Sequence, residues 1–147
     1  MIKEFFKRKS GLSDFQISEK RYRRIFETAQ DGILLLDFKT GMILDVNKYL
    51  IDLLGYSKAD FLKKHVWNVG VFKNIVAQKK NFKTLQEKKY VRFENLPLET
   101  KAGKRINVEF VANAYIGVDE MVIQCNIRDI TERVKEEINS LWLASFP

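Results

Sequence analysis

Side chains suited to chemistry are scarce in this chain. Its 147 residues hold one histidine, His65, and one cysteine, Cys125. One cysteine excludes an intrachain disulfide, and the pair is too few for a structural zinc site. A histidine can serve haem iron as its proximal ligand, which makes His65 a haem candidate. Val66 follows it, where a phosphoaccepting histidine of a kinase is followed by an acidic residue and a nearby proline. No G-x-G-x-x-G or G-x-x-x-x-G-K is present to cradle a phosphate. No G-x-S-x-G is present either, so Ser-His-Asp chemistry has no nucleophile elbow. Glu94 and Glu99 are the nearest approach to paired carboxylates, and with nothing beside them they read as surface groups. The sequence therefore argues for a binding module, not an enzyme.

Composition and charge narrow the class. Hydrophobic residues make up 46% and charged residues 31%. This is globular composition, and one domain of this length buries enough surface to fold unaided. No apolar run approaches the ~20 residues of a membrane span. The N-terminus, MIKEFFKRKS, lacks the apolar core of a secretory signal, so the expected location is cytoplasmic. The net charge of +7 is uneven. Residues 1–24 carry eight Lys/Arg against three Asp/Glu, and residues 72–92 carry seven against Glu87 alone. The second patch supplies a rival reading: a basic module binding nucleic acid or an acidic partner through Lys73, Lys79, Lys80, Lys83, Lys88, Lys89 and Arg92. The plainer reading is two solvated faces.

The elements that must position these groups follow from periodicity. Residues 1–16 read as a basic leader or linker. A helix is predicted over 17–30, capped by Ser18, with Tyr22, Ile25, Phe26 and Ala29 on its apolar side. Residues 33–37 and 42–46 read as strands joined at Lys39-Thr40-Gly41. Asn47 caps a short helix that Gly55 ends, and Ser57 with Asp60 forms a capping box. A connector over 63–70 holds His65 and Trp67, and 72–88 reads as a longer helix. Three strands follow. The first, 90–100, breaks phase at Asn95-Leu96-Pro97, the mark of a bulge or an edge. The second, 105–115, puts Ile106, Val108, Phe110 and Ala112 on one face, and the third, 121–130, does the same with Met121, Ile123, Cys125 and Ile127. Asp129 is placed to cap a last helix whose stripe is Val134, Ile138 and Leu141. The fold class is α+β.

Four segments in this order resemble the PAS domain family: Gly32 to Asp37; Asp45-Val46-Asn47 through Leu53-Leu54-Gly55-Tyr56-Ser57; Thr100 to Lys104; and Arg128-Asp129-Ile130-Thr131-Glu132-Arg133. The resemblance covers about residues 20–133. It implies a five-stranded antiparallel sheet in the order 2-1-5-4-3, helices forming a pocket over one face, and flanking N- and C-terminal helices. It gives the domain as 17–133 and the signalling helix or linker as 134–147. It implies a sensor and dimerisation module of a signalling protein, as in sensor histidine kinases, partnered by other PAS or kinase domains.

On this frame Leu35, Val108, Phe110, Ile123, Cys125 and Ile127 line the pocket with Trp67, Phe72 and Val76, or simply fill the core. A pocket so lined takes an apolar or flat small molecule with few polar anchors. Haem is not expected, because haem-binding members carry the histidine on the longer helix, where none stands here. Light-sensing LOV members carry a flavin-reactive cysteine just before that helix, and Lys64-His65-Val66-Trp67-Asn68 has none. Cys125 then reads as a small buried hydrophobe. Asp129 and Thr131 sit where strand motion passes to the last helix, and so are the transmission residues. Tyr22, Ile25, Ala29, Val134, Ile138 and Leu141 are the candidates for a weak homodimer.

Overall fold

The computed structural model describes residues 13–72, 78–117 and 119–145. Its first helix, α1 (Asp14–Thr28), starts earlier than the sequence predicts. Ser13, not Ser18, is the cap: its hydroxyl accepts from Gln16 N, and the Gln16 side chain accepts from Ser13 N. That reciprocal pair satisfies two donors a helix start otherwise leaves open.

Five strands follow: β1 (Gly32–Asp37), β2 (Ile43–Val46), β3 (Tyr90–Glu99), β4 (Arg105–Ile116) and β5 (Met121–Asp129). They form one antiparallel sheet in the order β2-β1-β5-β4-β3. The alternation of β4 and β5 fixes their register, with Phe110 opposite Ile127 and Ala112 opposite Cys125. The edge strand β3 slips register between Phe93 and Leu96, at the predicted bulge.

One strand is out of phase with expectation. Leu34 and Leu36 face the core, while Leu35 lies on the other face, paired with Asp45 and Gln124. Gly32 is buried on the same face as Leu34 and Leu36, close against α2, the helix Lys48–Leu54. A Cβ there would stand 2.6 Å from Leu50 Cδ1, 3.1 Å from Leu50 Cβ and 3.3 Å from Ile127 O, so a side chain at this position would have to push buried Leu50 aside.

One face of the sheet is covered by α2 (Lys48–Leu54), α3 (Lys58–Phe61), the 3-10 turns Val66–Asn68 and Gly70–Phe72, and α4 (Gln78–Lys88). Asn47 caps α2, Gly55 ends it at φ 80°, and Ser57 with Asp60 caps α3, all as predicted. The helix expected over 72–88 is described from Gln78, and Phe72 belongs to the 3-10 turn before it. The core centres on Leu34, Leu50, Leu54, Phe61, Val108 and Ile123, all fully buried. Each such side chain contributes roughly 1.5–3 kcal/mol. The last helix, α5 (Thr131–Ala144), buries no residue. Asp129 does not occupy its cap position, because β5 runs through Asp129 and leaves Ile130 there.

Candidate functional site

An apolar cavity of about 60 Å³ lies between α4 and the sheet. Phe82 and Leu85 of α4, Val66 and Phe72 of the 3-10 turns, Val91, Phe93 and Leu96 of β3, Phe110 and Ala112 of β4, Leu36 of β1 and Cys125 of β5 form its walls. Asn81 is the one side chain with an amide among these described walls. The β3 bulge turns Phe93 and Leu96 inward, on either side of the register slip. Phe110 meets Phe72 at 6.4 Å and Phe93 at 6.1 Å, both edge-on. Gln86 positions α4 by donating from Nε2 to Phe38 O at 2.8 Å. Burial pushes the Cys125 thiol up to about 12, so it stays a neutral apolar wall.

Of the nine predicted pocket residues, Phe72, Phe110 and Cys125 line this cavity. Val76 lies outside the described residues. Val108, Ile123 and Ile127 are fully buried core side chains beyond the wall, and Leu35 faces away. Trp67 is turned elsewhere: its ring stacks on His65 at 4.7 Å and meets Phe82 at 5.5 Å. It packs over Gly41, where φ is 75° and a Cβ would stand 2.6 Å from Trp67 Cζ3. His65 is a bridge partner of Met42 and does not line the cavity, so it does not fit as a haem ligand there. The β3 and α4 lining was not picked out from the sequence. Phe82 and Leu85, apolar residues three apart in a helix otherwise polar, and the phase break in β3 are the signals for it.

The junction between β5 and α5 is knit by short bonds. Asp129 Oδ1 accepts from Thr131 N at 2.9 Å and from the Thr131 hydroxyl. Thr131 Oγ1 accepts from Asn107 N at 3.1 Å, and Ile130 N donates to Asn107 O at 2.8 Å. Asp129 thus steadies the first residue of α5 without capping it, and α5 is tied to β4 as well as β5.

The other flank is tied by Asn47, fully buried. Its Oδ1 accepts from Ile33 N and Leu50 N, and its Nδ2 donates to Phe26 O and Asp31 O. Asp45 holds α1 by receiving Arg23 at 3.1 Å and the Tyr22 hydroxyl at 3.4 Å, and also receives Lys58 of α3 at 3.5 Å. Desolvation, with Asp45 beside it, pushes Tyr22 up to about 12.

Among the expected association residues, Tyr22 is turned toward Asp45 and Phe26, Ala29 and Val134 are half-buried, and Ile25, Ile138 and Leu141 are exposed. Of the basic patch, Lys83, Lys88 and Lys89 are exposed, while Arg92 is paired with Glu109 at 3.3 Å. Lys73 and the side chains of Lys79 and Lys80 lie outside the described residues. Among the described residues no helix is long and apolar enough to cross a membrane.

The sheet order, the helices over one face and the terminal junction invite comparison with known proteins. The profile of the family described as "PAS domain" matches residues 30–132. The chain belongs to the PAS domain family. Solved PAS structures superpose on it over most of its length. A PAS domain from a two-component sensor histidine kinase is 13% identical, with a TM-score of 0.65, and the match covers 79% of this chain and 99% of that one. A domain of a sensory box sensor histidine kinase/response regulator from Geobacter sulfurreducens is 24% identical, with a TM-score of 0.61, covering 77% and 96%. A LOV protein of Rhodobacter sphaeroides is 9% identical, with a TM-score of 0.62, covering 78% and 68%. At these identities the likeness is one of fold. No curated protein matches the chain.

Proposed function

We propose that this PAS domain is a non-catalytic sensor that binds a small apolar molecule in the cavity beneath α4 and passes its state to α5, which leads toward an output domain such as a histidine kinase. One observation carries the reading: cavity wall and helix root share a strand. Cys125 lines the cavity, and β5 continues from it to Asp129, which holds Thr131 at the start of α5. A molecule that presses on the wall therefore strains a short, hydrogen-bonded path to the helix. At about 60 Å³ the cavity accepts a ligand of few heavy atoms. A larger one displaces Phe82 and Asn81 together with α4. Self-association belongs to the same reading, and the exposed Ile138 and Leu141 of α5 supply its seam.

The test is native mass spectrometry of the purified chain, followed by titration with indole, read by amide shifts. A retained molecule, or indole shifts at Cys125 that extend to Thr131, supports the reading. Shifts confined to the surface, with no mass retained, overturn it. Light scattering tests the seam: Leu141→Glu is expected to abolish a concentration-dependent rise in mass, and a monomer indifferent to it removes dimerisation from the proposal.

A further inference from the structure

We infer that the cavity beneath α4 selects a neutral short-chain alcohol, with Asn81 as the polar anchor. The inference rests on the cavity reading above and adds the chemistry of the ligand. Asn81 stands in the wall, half-buried, and its side chain forms no hydrogen bond with any described residue. It lies one turn before Leu85 on α4, so it shares the side of the helix that buries Leu85. Gln86, by contrast, donates its amide to Phe38 O.

The wall selects by size, charge and hydrogen bonding. A cavity of about 150 Å³ holds benzene, which is about 25 Å³ for each heavy atom. The cavity here is about 60 Å³, so it admits a body of about two or three carbons. Among the described walls no side chain is charged, and burial keeps the Cys125 thiol neutral. An ionised ligand would lie there without a partner, at heavy cost.

Phe72, Phe82, Phe93 and Phe110 supply apolar contact for the carbon body. The Asn81 amide offers both an acceptor and donors, and a hydroxyl matches both. A water molecule at that point meets one side-chain amide where roughly two to four polar partners would hold it, so it is readily displaced. A hydrocarbon would displace the same water and leave the amide unmatched.

The experiment is an amide-shift titration of the full chain with xenon, a series of 1-alkanols, and propionate. Xenon forms no hydrogen bond and tests the cavity itself. It is expected to shift Ala112 and Cys125 in the native chain and in Asn81→Leu. No xenon shift in the native chain overturns the cavity reading, and this inference with it. With the alkanols, affinity is expected to rise about fourfold per methylene from methanol to 1-propanol, and to stop rising by 1-pentanol. Asn81→Leu is expected to weaken 1-propanol about fivefold, as loss of one neutral hydrogen bond would, and to bind xenon at least as well as the native chain. Leucine is the better helix former, so an unchanged or higher melting temperature confirms that the variant folds. Propionate is expected to shift no wall residue. Three results overturn the inference while xenon binding leaves the cavity reading standing: 1-propanol indifferent to Asn81→Leu, affinity still climbing at 1-hexanol, or propionate shifts at Cys125. The last two are read on the native chain and do not depend on the variant.

Discussion

Replacing Asn47 by alanine removes four hydrogen bonds at one point where α1, β1 and α2 meet. Two of them, to Leu50 N and Phe26 O, are fully buried, and the other two are partly buried. A buried group left without a partner costs about 2 kcal/mol, and one that water reaches costs about 0.5 kcal/mol. The expected loss is therefore about 5 kcal/mol, comparable to the whole stability of a marginal domain. With a urea m-value near 2 kcal/mol/M, the midpoint falls by about 2.5 M. Asn47→Asp sharpens the test. The carboxylate keeps both backbone donors but puts a second oxygen against Phe26 O and Asp31 O, where an amide nitrogen donated. At neutral pH this variant should be at least as unstable as Asn47→Ala. Protonation supplies a donor, so the folded state raises the pKa of that carboxyl, and the deficit shrinks as pH falls through the raised value. A loss below about 1 kcal/mol in either variant at neutral pH would refute the reasoning, since ordinary surface changes are that small.

Lys89 stands at φ 60° where it closes α4, its N donating to Leu85 O at 2.7 Å. Lys89→Gly relieves that left-handed strain and should raise stability by about 0.5–1 kcal/mol, read as a higher urea midpoint; a lower midpoint contradicts the geometry. Cys125, buried with its thiol pushed up to about 12, should react with a disulfide probe at pH 8 no faster than the domain opens; immediate labelling of native protein would remove it from the cavity wall. Asp37 accepts from Thr40 N, Lys39 N and the Thr40 hydroxyl, and the Thr40 backbone bond, largest among these, lowers its pKa below the usual 3.8. Its contribution is therefore present above the unfolded carboxylate value and lost as pH falls through the lowered one. Asp37→Asn should flatten the stability profile in that acid window, and an unchanged slope below pH 4 would count against it.

Much of this fold is legible in the residues, and the failures have physical causes. β4 carries Arg105, Asn107, Glu109 and Asn113 on its outward face and β5 carries Gln124, Asn126 and Arg128, and these polar residues mark the faces. In β1, Ile33 to Leu36 are all apolar, and periodicity cannot choose between Leu35 and its neighbours. The side that is buried, with Gly32 against Leu50, is a tertiary fact. Ser13 and Ser18 are both acceptable caps by type. Gln16 favours the first through its return bond, and that pattern was there to be read. The cavity is only partly legible, because Val91, Phe93 and Leu96 come from an edge strand whose inward residues change phase at a bulge, and because Trp67 sits in a 3-10 turn that no hydrophobic period describes.

The bareness of α5 has a mechanical consequence. Fourteen helical residues at about 1.5 Å each make an arm of about 21 Å, fixed at one end and buried nowhere along its length. A tilt of about 10° at the Asn107–Thr131 root sweeps the far end through about 4 Å, about two-thirds of the pitch of a helical turn. The root needs only a fraction of an ångström of movement to produce it. On the proposed reading, the arm would turn a displacement too small to break a hydrogen bond into one of several ångströms at its far end.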